Sequence, residues 1–257
     1  MSTAPLLEAR GLCKEFGGIA AVHDLDFAVA PGQIKALIGP NGAGKTTTFN
    51  VICGFLAPTR GRVLFEGRPL PVRRPHAVAA LGIARTFQLA QLFGEMTVLE
   101  HVLVGLHRQG RAGWGACAFR TRTMREEERR LRVRAVEVLT LLGLEGRADT
   151  PATELPYGEQ RLCELGRALG MSPRLLLLDE PGAGLDREEQ ARLGGVIRAI
   201  RDRGATILLV DHHMEFVLDL SDEVLVLSYG EKLAEGPPAL VRAHPAVVAA
   251  YLGEDDG

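Results

Sequence analysis

The sequence predicts an α/β protein built around a mostly parallel sheet, with a helical segment inserted in its middle. Apolar runs typical of buried strands alternate with helical patterns near both ends of the 257-residue chain. This order is found in sheets that are covered by helices on both faces. From about Gln88 to Cys163 the pattern is helical instead. An apolar content of 46% is sufficient for a sizeable core.

The first part of the chain combines predicted strands with one glycine-rich turn. Short apolar runs bounded by turn residues predict strands at 6–10, 25–29, 33–38 and 62–66. The glycine-rich turn at 39–46 follows the third of these strands. A helix is predicted directly after it, over 45–53.

The helical middle segment carries two signals of its own. Thr97 and Glu100 have the spacing of a capping box, which predicts a helix start. Apolar residues then recur at helical spacing, and they are Leu131, Ala135, Val138, Leu139 and Leu142. After Ser172 the alternation resumes, with strands predicted at 175–178, 206–210 and 223–227 and a helix at 187–203.

Arginines cluster within this middle segment, interleaved with Glu126, Glu127 and Glu128. One interpretation is a solvated helix face with i,i+4 ion pairs. The other is a basic face that lies near lipid head groups or a permease. The arginines are Arg120, Arg122, Arg125, Arg129, Arg130, Arg132 and Arg134.

Composition and charge exclude several classes of protein. The net charge is −2 and aromatic residues make up 5%, so nothing indicates nucleic-acid binding. No secretory signal is evident at the start, and no apolar run approaches the roughly 18 to 20 residues of a membrane span. A membrane role would therefore come through a partner. The cysteines form no C-x-x-C pair and are predicted to be reduced thiols of a cytosolic protein; they are Cys13, Cys53, Cys117 and Cys163.

The turn at 39–46 fits G-x-x-x-x-G-K-[ST], a phosphate-binding loop. Between a strand and a helix, such a loop points backbone N–H groups at a bound phosphate. Lys45 is expected to reach the β- and γ-phosphates, and Thr46 to bind Mg²⁺. The alternative is a glycine-rich turn that matches by chance. The predicted nucleotide-binding residues of this loop are Gly39, Pro40, Asn41, Gly42, Ala43, Gly44, Lys45, Thr46 and Thr47.

A second motif ends the predicted strand at 175–178 with two acids, Asp179 and Glu180. In phosphoryl transfer the first acid holds Mg²⁺ and the second orients or deprotonates the attacking water. The alternative is a pair of surface acids that open a turn at Pro181. Together with the phosphate-binding loop, the two acids predict a hydrolytic nucleotide site.

The order of these motifs resembles the ATP-binding cassette (ABC) proteins over essentially the whole chain. The family signature, commonly LSGGQ, reads here from Leu155 to Glu159 and precedes a helical pattern. The resemblance implies a P-loop NTPase fold of the ABC-ATPase type. It implies a mostly parallel RecA-like core sheet, an antiparallel β subdomain and an inserted helical subdomain. It also implies a single domain over 1–257, with the nucleotide-binding core at 1–88 and 166–257 and the helical signature subdomain at 89–165.

Several residue roles are implied by the same resemblance. The implied catalytic residues are Lys45, Gln88, Glu180 and His212, and the implied Mg²⁺ ligands are Thr46, Gln88 and Asp179. The further nucleotide-binding residues are Phe16, which matches the adenine-stacking aromatic, Leu155, Gly158 and Glu159 of the signature, and Asp186, which matches the loop that crosses to the partner. Pro156 departs from the family pattern, because it lacks both the serine hydroxyl and an N–H.

Four of these assignments have a structural alternative. Phe16 could be a core residue of the first sheet, and Gln88 an exposed polar residue at a strand end. Asp186 could cap a helix, and His212 could be structural, with the adjacent His213 blurring the choice.

A closer resemblance is to the ATP-binding subunits of branched-chain (hydrophobic) amino acid importers. It rests on the sequence from Arg85 to Gln88, the segment 92–100, the signature pair Tyr157–Gly158 and the end of the chain at 250–254. It implies ATP and Mg²⁺ as cofactors, a second ABC ATPase subunit in a homo- or heterodimer, transmembrane permease subunits and a periplasmic solute-binding protein. The protein would lie peripherally on the cytoplasmic face of the inner (plasma) membrane.

Other functions remain open from the sequence. A soluble ABC ATPase scaffold would need no permease, and related cassettes serve urea or amide uptake and lipopolysaccharide export. A simple nucleotide kinase is disfavoured, because that class has no reason to carry the signature segment at 155–161.

Overall fold

The computed structural model describes residues 4–86, 92–107 and 122–252, with the backbone alone at 122, 123 and 252. The described residues form ten strands in two sheets. In chain order the strands are β1 Leu7–Phe16, β2 Ile19–Val29, β3 Ile34–Ile38, β4 Arg60–Phe65, β5 Arg68–Pro69, β6 Ile83–Arg85, β7 Leu175–Asp179, β8 Thr206–Val210, β9 Glu223–Ser228 and β10 Glu231–Gly236. The α-helices described are α1 Lys45–Ile52, α2 Pro75–Ala80, α3 Val98–Leu106, α4 Arg122–Leu142, α5 Tyr157–Gly170, α6 Arg187–Asp202, α7 Met214–Leu220, α8 Pro238–Arg242 and α9 Pro245–Leu252.

The larger sheet has the order β10-β9-β3-β8-β7-β6. Its strands pair in parallel except for β10, which runs antiparallel to β9. Every residue of β3, β7 and β8 is buried, as expected for central parallel strands. The second sheet is antiparallel with the order β2-β1-β4-β5. The predicted α/β fold, with a mostly parallel sheet and a separate antiparallel sheet, is confirmed.

The hairpin of β1 and β2 is longer than predicted. Its strands meet at a turn of Gly17 and Gly18, which have φ values of 53° and 88°. The sequence indicated only the apolar outer ends of these strands, at 6–10 and 25–29. The inner ends carry many exposed residues, so hydrophobic pattern alone did not reveal them.

The chain divides into two compact units. The first comprises 1–85, 174–184 and 200–257, and the second comprises 86–173 and 185–199. The first unit contains both sheets and a core of buried side chains that includes Leu37, Phe49 and Leu177. The subdomain limits at 89 and 165 stay a prediction, because compactness alone does not define a subdomain.

The second unit contains helices α3, α4 and α5 and most of α6. Thr97 and Glu100 make the predicted capping box at the start of α3. Helix α3 packs closely on α5, where a side chain at Gly105 would overlap the carbonyl oxygen of Arg167. The apolar stripe of α4 is confirmed as its buried side, since Ala135, Leu139 and Leu142 are at most 1% exposed.

The described arginines of the cluster are solvent-exposed side chains of α4, namely Arg125, Arg129, Arg130, Arg132 and Arg134. Cys13, Cys53 and Cys163 are free and buried. Over residues 4–86, 92–107 and 122–252, no helix is both long enough and apolar enough to cross a membrane.

Candidate functional site

The carboxyl ends of three adjacent parallel strands lie at the same level of the larger sheet. Val210 at the end of β8 pairs with Leu37 of β3 on one side and with Asp179 of β7 on the other. The chain leaves each strand within the next two residues. The phosphate-binding loop, Glu180 and His212 therefore emerge at one edge, which is where ligands bind in open α/β sheets.

The phosphate-binding loop is shaped by close backbone approaches. Gly44 has φ 99°, and a Cβ there would overlap the carbonyl oxygen of Ala21. A Cβ at Gly39 would likewise overlap the carbonyl oxygen of Leu227. These positions admit only glycine without a backbone shift, which explains the motif in physical terms.

Helix α1 begins directly after this loop and has no side-chain cap at its N-terminus. Its first N–H groups and its dipole therefore favour an anion there. Lys45 donates hydrogen bonds to the carbonyls of Gly39 and of Pro40, the latter at 2.7 Å. The ammonium thus lies folded across the loop, where an incoming phosphate would replace the carbonyl oxygens. The side chain of Thr46 is exposed beside it.

Asp179 is a buried carboxylate with a guanidinium partner that the sequence did not predict. Arg85 Nη2 lies 2.6 Å from Asp179 Oδ2, and both side chains are 9% exposed. Arg85 Nη1 also donates to Asn50 Oδ1 of helix α1 at 2.6 Å. One arginine thereby connects the end of β7 to the helix that follows the phosphate-binding loop. The sequence feature that could have indicated this partner is the charged residue Arg85 at the end of the short apolar strand β6.

Glu180 occupies an uncommon backbone conformation for a side-chain-bearing residue, with φ 47°. Two backbone hydrogen bonds hold it, from Glu180 N to Val210 O at 2.7 Å and from Ala183 N to Glu180 O at 3.2 Å. Its carboxylate Oε2 lies 3.9 Å from His212 Nδ1, and the His212 side chain is 56% exposed. The two predicted catalytic side chains are thus neighbours; His212 is exposed and not a core histidine, whereas Glu180 is partly buried.

Asp211, which the sequence did not single out, organises the turns after β7 and β8. It is 1% exposed. Its Oδ2 accepts a hydrogen bond from Gly182 N at 2.9 Å. Its Oδ1 accepts from His213 N at 3.0 Å and lies 2.8 Å from His213 Nδ1. A single buried carboxylate therefore fixes the loops that carry Glu180 and His212.

Phe16 ends β1 as a half-exposed side chain, 46% accessible, with Lys14 Nζ 4.8 Å from its ring centroid. It is not the core phenylalanine of the alternative interpretation. An exposed ring at a strand end is available for stacking. Gln88 lies outside the described residues.

The signature segment lies in the second unit, at the start of helix α5. Pro156 is the N-cap, with no side-chain cap, and its carbonyl accepts the first helical hydrogen bond from Gln160 N at 3.0 Å. The helix therefore starts normally despite the proline. Its first amides, at Tyr157, Gly158 and Glu159, are those that an intrahelical bond never satisfies. Leu155 is 5% exposed, so its side chain belongs to the core of this unit.

Glu159 turns its carboxylate towards two arginines of its own unit. Glu159 Oε2 lies 3.6 Å from Arg147 Nε, and Oε1 lies 3.9 Å from Arg192 Nη1. These pairs partly neutralise the charge that Glu159 places at the helix N-terminus.

Asp186 caps helix α6. Its Oδ1 accepts from Glu189 N at 2.8 Å, and Glu189 Oε2 accepts from Asp186 N at 3.1 Å, which is a reciprocal capping box. The Glu189 carboxylate also lies where a side chain at Gly158 would stand, because an added Cβ would be 2.5 Å from Glu189 Oε1. Glu189 thus lies between the signature and the predicted crossing loop, a contact that the sequence did not indicate.

The donor set at the sheet edge suits a nucleotide with Mg²⁺. Backbone amides and Lys45 provide for phosphate oxygens. The Thr46 hydroxyl and the Asp179 carboxylate are hard oxygen ligands of the kind that Mg²⁺ takes.

Comparison with family models gives two matches. The model described as ABC transporter matches residues 22–183. The model described as branched-chain amino acid ATP-binding cassette transporter matches residues 231–257.

Curated relatives match the chain over nearly its full length. One is the high-affinity branched-chain amino acid transport ATP-binding protein LivG of Escherichia coli K12. It is 41% identical over 251 residues, which cover 97% of this chain and 98% of that protein. The protein of the same description named BraF, from Pseudomonas aeruginosa, is 40% identical over equal shares of both chains.

Solved structures agree with these matches. The ADP conformation of an ATP-binding cassette from an ABC transporter superposes with a TM-score of 0.86 at 34% identity, covering 98% of this chain and all of that one. A nucleotide-free cassette superposes with a TM-score of 0.83 at 33% identity, covering 96% and 99%.

Proposed function

Because the chain belongs to the ABC transporter ATP-binding family, we propose that it hydrolyses ATP at the edge of the larger sheet to drive solute transport. One observation carries the proposal. The register of β3, β8 and β7 brings Lys45, Asp179, Glu180 and His212 to a single edge. This set supplies phosphate binding, a metal ligand and a candidate base.

The residues of this edge have separable tasks. On ATP binding, Lys45 exchanges the carbonyls of Gly39 and Pro40 for phosphate oxygens. These hydrogen bonds orient its ammonium before the phosphate arrives. Thr46 and Asp179 hold Mg²⁺, with Gln88 as a further ligand. The ion held by these residues would supply positive charge that offsets the charge developing on the phosphate oxygens.

Glu180 and His212 act on the attacking water and on the γ-phosphate. The Glu180 carboxylate orients the water and accepts its proton, a role worth roughly 10²- to 10⁴-fold in rate. His212, 3.9 Å away, donates to the γ-phosphate and stabilises the charge that develops there. Phe16 stacks on the adenine ring.

A second cassette completes the site in this proposal. The capless start of α5 offers the amides of Gly158 and Glu159 to an anion. In a head-to-tail pair these amides would meet the γ-phosphate held by the other subunit, and Asp186 would cross the interface. Pro156 lacks the hydroxyl that usually contacts the γ-phosphate, so the backbone amides and the helix dipole would bind the phosphate here.

Replacing Glu180 with Gln tests the catalytic assignment. E180Q is expected to bind ATP normally, to lose turnover by at least about 10²-fold and to accumulate as an ATP-bound dimer. Steady-state ATPase assays and light scattering after size-exclusion chromatography measure the two effects. E137Q, on the exposed side of α4, is the matched control and should behave as the wild type. Full turnover in E180Q would sink the assignment.

The transported solute is proposed from the relatives. Two matched proteins are described as serving branched-chain amino acid transport, and the C-terminal family model carries the same description. We therefore assign the chain to import of branched-chain or other hydrophobic amino acids. In this assignment it lies on the cytoplasmic face of the membrane and binds a permease that is served by a periplasmic solute-binding protein.

Copurification tests this assignment. The full chain should purify from detergent extracts with a transmembrane protein, and its removal should abolish uptake of labelled leucine. Repeated recovery with a soluble partner, and unchanged leucine uptake, would favour a soluble ABC ATPase or a cassette for another solute.

A further inference from the structure

Three consecutive residues after β8 place metal-binding donor atoms together. One donor atom from each of Asp211, His212 and His213 can be chosen so that the three atoms lie within 4.8 Å of one another. The two imidazole rings are 4.2 Å apart between centroids and tilted by 36°. Adjacent histidines whose rings face each other at this distance can direct nitrogen atoms to one point in space.

Asp211 fixes the protonation pattern of His213. The buried carboxylate already accepts two backbone N–H groups, and His213 Nδ1 lies 2.8 Å from its Oδ1. A carboxylate oxygen can only accept, so the neutral ring takes the tautomer with its proton on Nδ1 and a lone pair on Nε2. Histidines that bind a metal through one ring nitrogen usually donate the N–H of the other nitrogen to a carboxylate or carbonyl oxygen, as His213 does here.

His212 and Glu180 complete the donor set. His212 Nδ1 lies 3.9 Å from Glu180 Oε2, and the two histidine side chains are 56% and 37% exposed. Bonds of about 2.0 Å in tetrahedral geometry require donor atoms about 3.3 Å apart. The His212–Glu180 pair is within about 0.6 Å of that separation, and the exposed His212 ring is free of the Asp211 contact that holds His213. Two imidazoles and one carboxylate select Zn²⁺ or a similar transition-metal ion over Mg²⁺.

We propose that His212 and His213, with Glu180 as the third ligand, form an inhibitory site for Zn²⁺ or a similar transition-metal ion. Binding would occupy the Glu180 carboxylate and the His212 ring, which the proposed hydrolysis needs. The phosphate-binding loop contributes no ligand, so ATP binding would persist while turnover stops. The metal site itself is independent of the proposed function, whereas its inhibitory effect rests on it.

Cobalt binding tests the site directly. The full chain, purified without a polyhistidine tag and without nucleotide, is titrated with Co²⁺ and followed by visible absorption. One equivalent should give the intense bands of four-coordinate cobalt, without the near-ultraviolet band of a thiolate ligand. H213Q should bind at least ten-fold more weakly, whereas H76Q, an exposed histidine of α2, should bind as the wild type does.

Three outcomes would overturn the metal site. They are a spectrum of hydrated six-coordinate cobalt only, a thiolate band, or equal binding by H213Q. Thermal unfolding checks that H213Q is folded. If it is not, H213N replaces it, because its shorter amide can still donate to Asp211.

Inhibition of turnover tests the effect. ATPase activity is measured with excess MgATP and buffered free Zn²⁺. The wild type and H76Q should lose activity together. H213Q should keep its basal turnover and require at least ten-fold more Zn²⁺. Equal zinc sensitivity of H213Q and wild type would overturn the inhibitory role. If the wild type shows no ATPase activity at all, the proposed function fails, and the cobalt titration still decides the metal site.

Discussion

The guanidinium of Arg85 lies 2.6 Å from the carboxylate of Asp179 and 2.6 Å from the side-chain oxygen of Asn50. The ion pair is nine-tenths buried on both sides. The surrounding protein therefore shields this ion pair from most of the solvent. The orientation of the candidate Mg²⁺ ligand thus depends on a residue that makes no contact with nucleotide in the proposed mechanism.

Arg85→Met should destabilise the protein by about 3–5 kcal/mol, because it removes the guanidinium from a buried ion pair with a carboxylate. Urea unfolding measures the loss. Arg85→Lys should lose less, since an ammonium can still reach Asp179. The double variant R85M/D179N should be more stable than R85M alone, because the carboxylate charge is removed as well. Equal free energies of unfolding for these two variants would contradict the coupling.

Gly44→Ala should abolish ATP binding. Residue 44 has φ 99°, and its new Cβ would overlap the carbonyl oxygen of Ala21. Gly204→Ala is the matched control, because φ there is 96° and no atom lies within 4 Å of the added Cβ. The control should cost only about 1–2 kcal/mol of backbone strain and keep ATP binding. Titration with a fluorescent ATP analogue measures ATP binding, and urea unfolding measures stability. Equal losses of ATP binding in both variants would contradict steric overlap at Gly44.

Gly158→Ala should displace Glu189, since the added Cβ would stand 2.5 Å from Glu189 Oε1. Losing the capping box with Asp186 should cost about 0.5–2 kcal/mol. In an E189A background the same change should instead stabilise by up to about 1 kcal/mol, because alanine is the better helix former. Thermal unfolding of the four proteins in this cycle gives the coupling. A loss of similar size in both backgrounds would argue against contact between the two residues.

His101 should make stability fall in mild acid. Burial lowers the pKa of His101, although a hydrogen bond with Thr97 partly opposes this. Its Nε2 must also stay unprotonated to accept the hydrogen bond from Phe93 N at 2.9 Å. Below the unfolded-state pKa of about 6.5, the unfolded chain binds more protons than the folded one. The contribution of His101 is therefore complete above about pH 6.5 and is lost as the pH falls towards its lowered folded pKa.

Thermal unfolding at pH 7.5, 6.5 and 5.5 measures this dependence. H101Q should be less stable at pH 7.5 and should show a flatter slope between pH 6.5 and 5.5. H244Q, at an exposed position, should retain the slope of the wild type. Identical slopes in all three proteins would exclude His101 as the titrating group.

Local pattern was sufficient for the elements that carry the chemistry. The predicted strand at 206–210 is β8 with the same bounds, and the capping box at Thr97 forms as predicted. Both signals are local, because one is a continuous apolar run and the other a pair of residues three apart. The inner halves of β1 and β2 were missed, since their side chains alternate too irregularly to reveal a strand.

Contacts between elements distant in sequence were beyond prediction. Arg85 and Asp179 meet because β6 lies beside β7. Hydrophobic periodicity does not reveal the order of strands in a sheet. Gly158 and Glu189 are 31 positions apart. Asp186 has the cap geometry of the structural alternative, and its role across a dimer interface stays a prediction. In each instance the sequence shows the residue type, but it does not show which distant residue that side chain contacts.

The position of β8 has a consequence for synthesis of the protein. The strand lies between β3 and β7, although it is made after both of them. Until residues 206–210 have been synthesised, β3, which precedes the phosphate-binding loop, and β7, which ends at Asp179, have no strand between them. A chain that ends before residue 206 therefore lacks the strand that joins the two halves of the candidate nucleotide site.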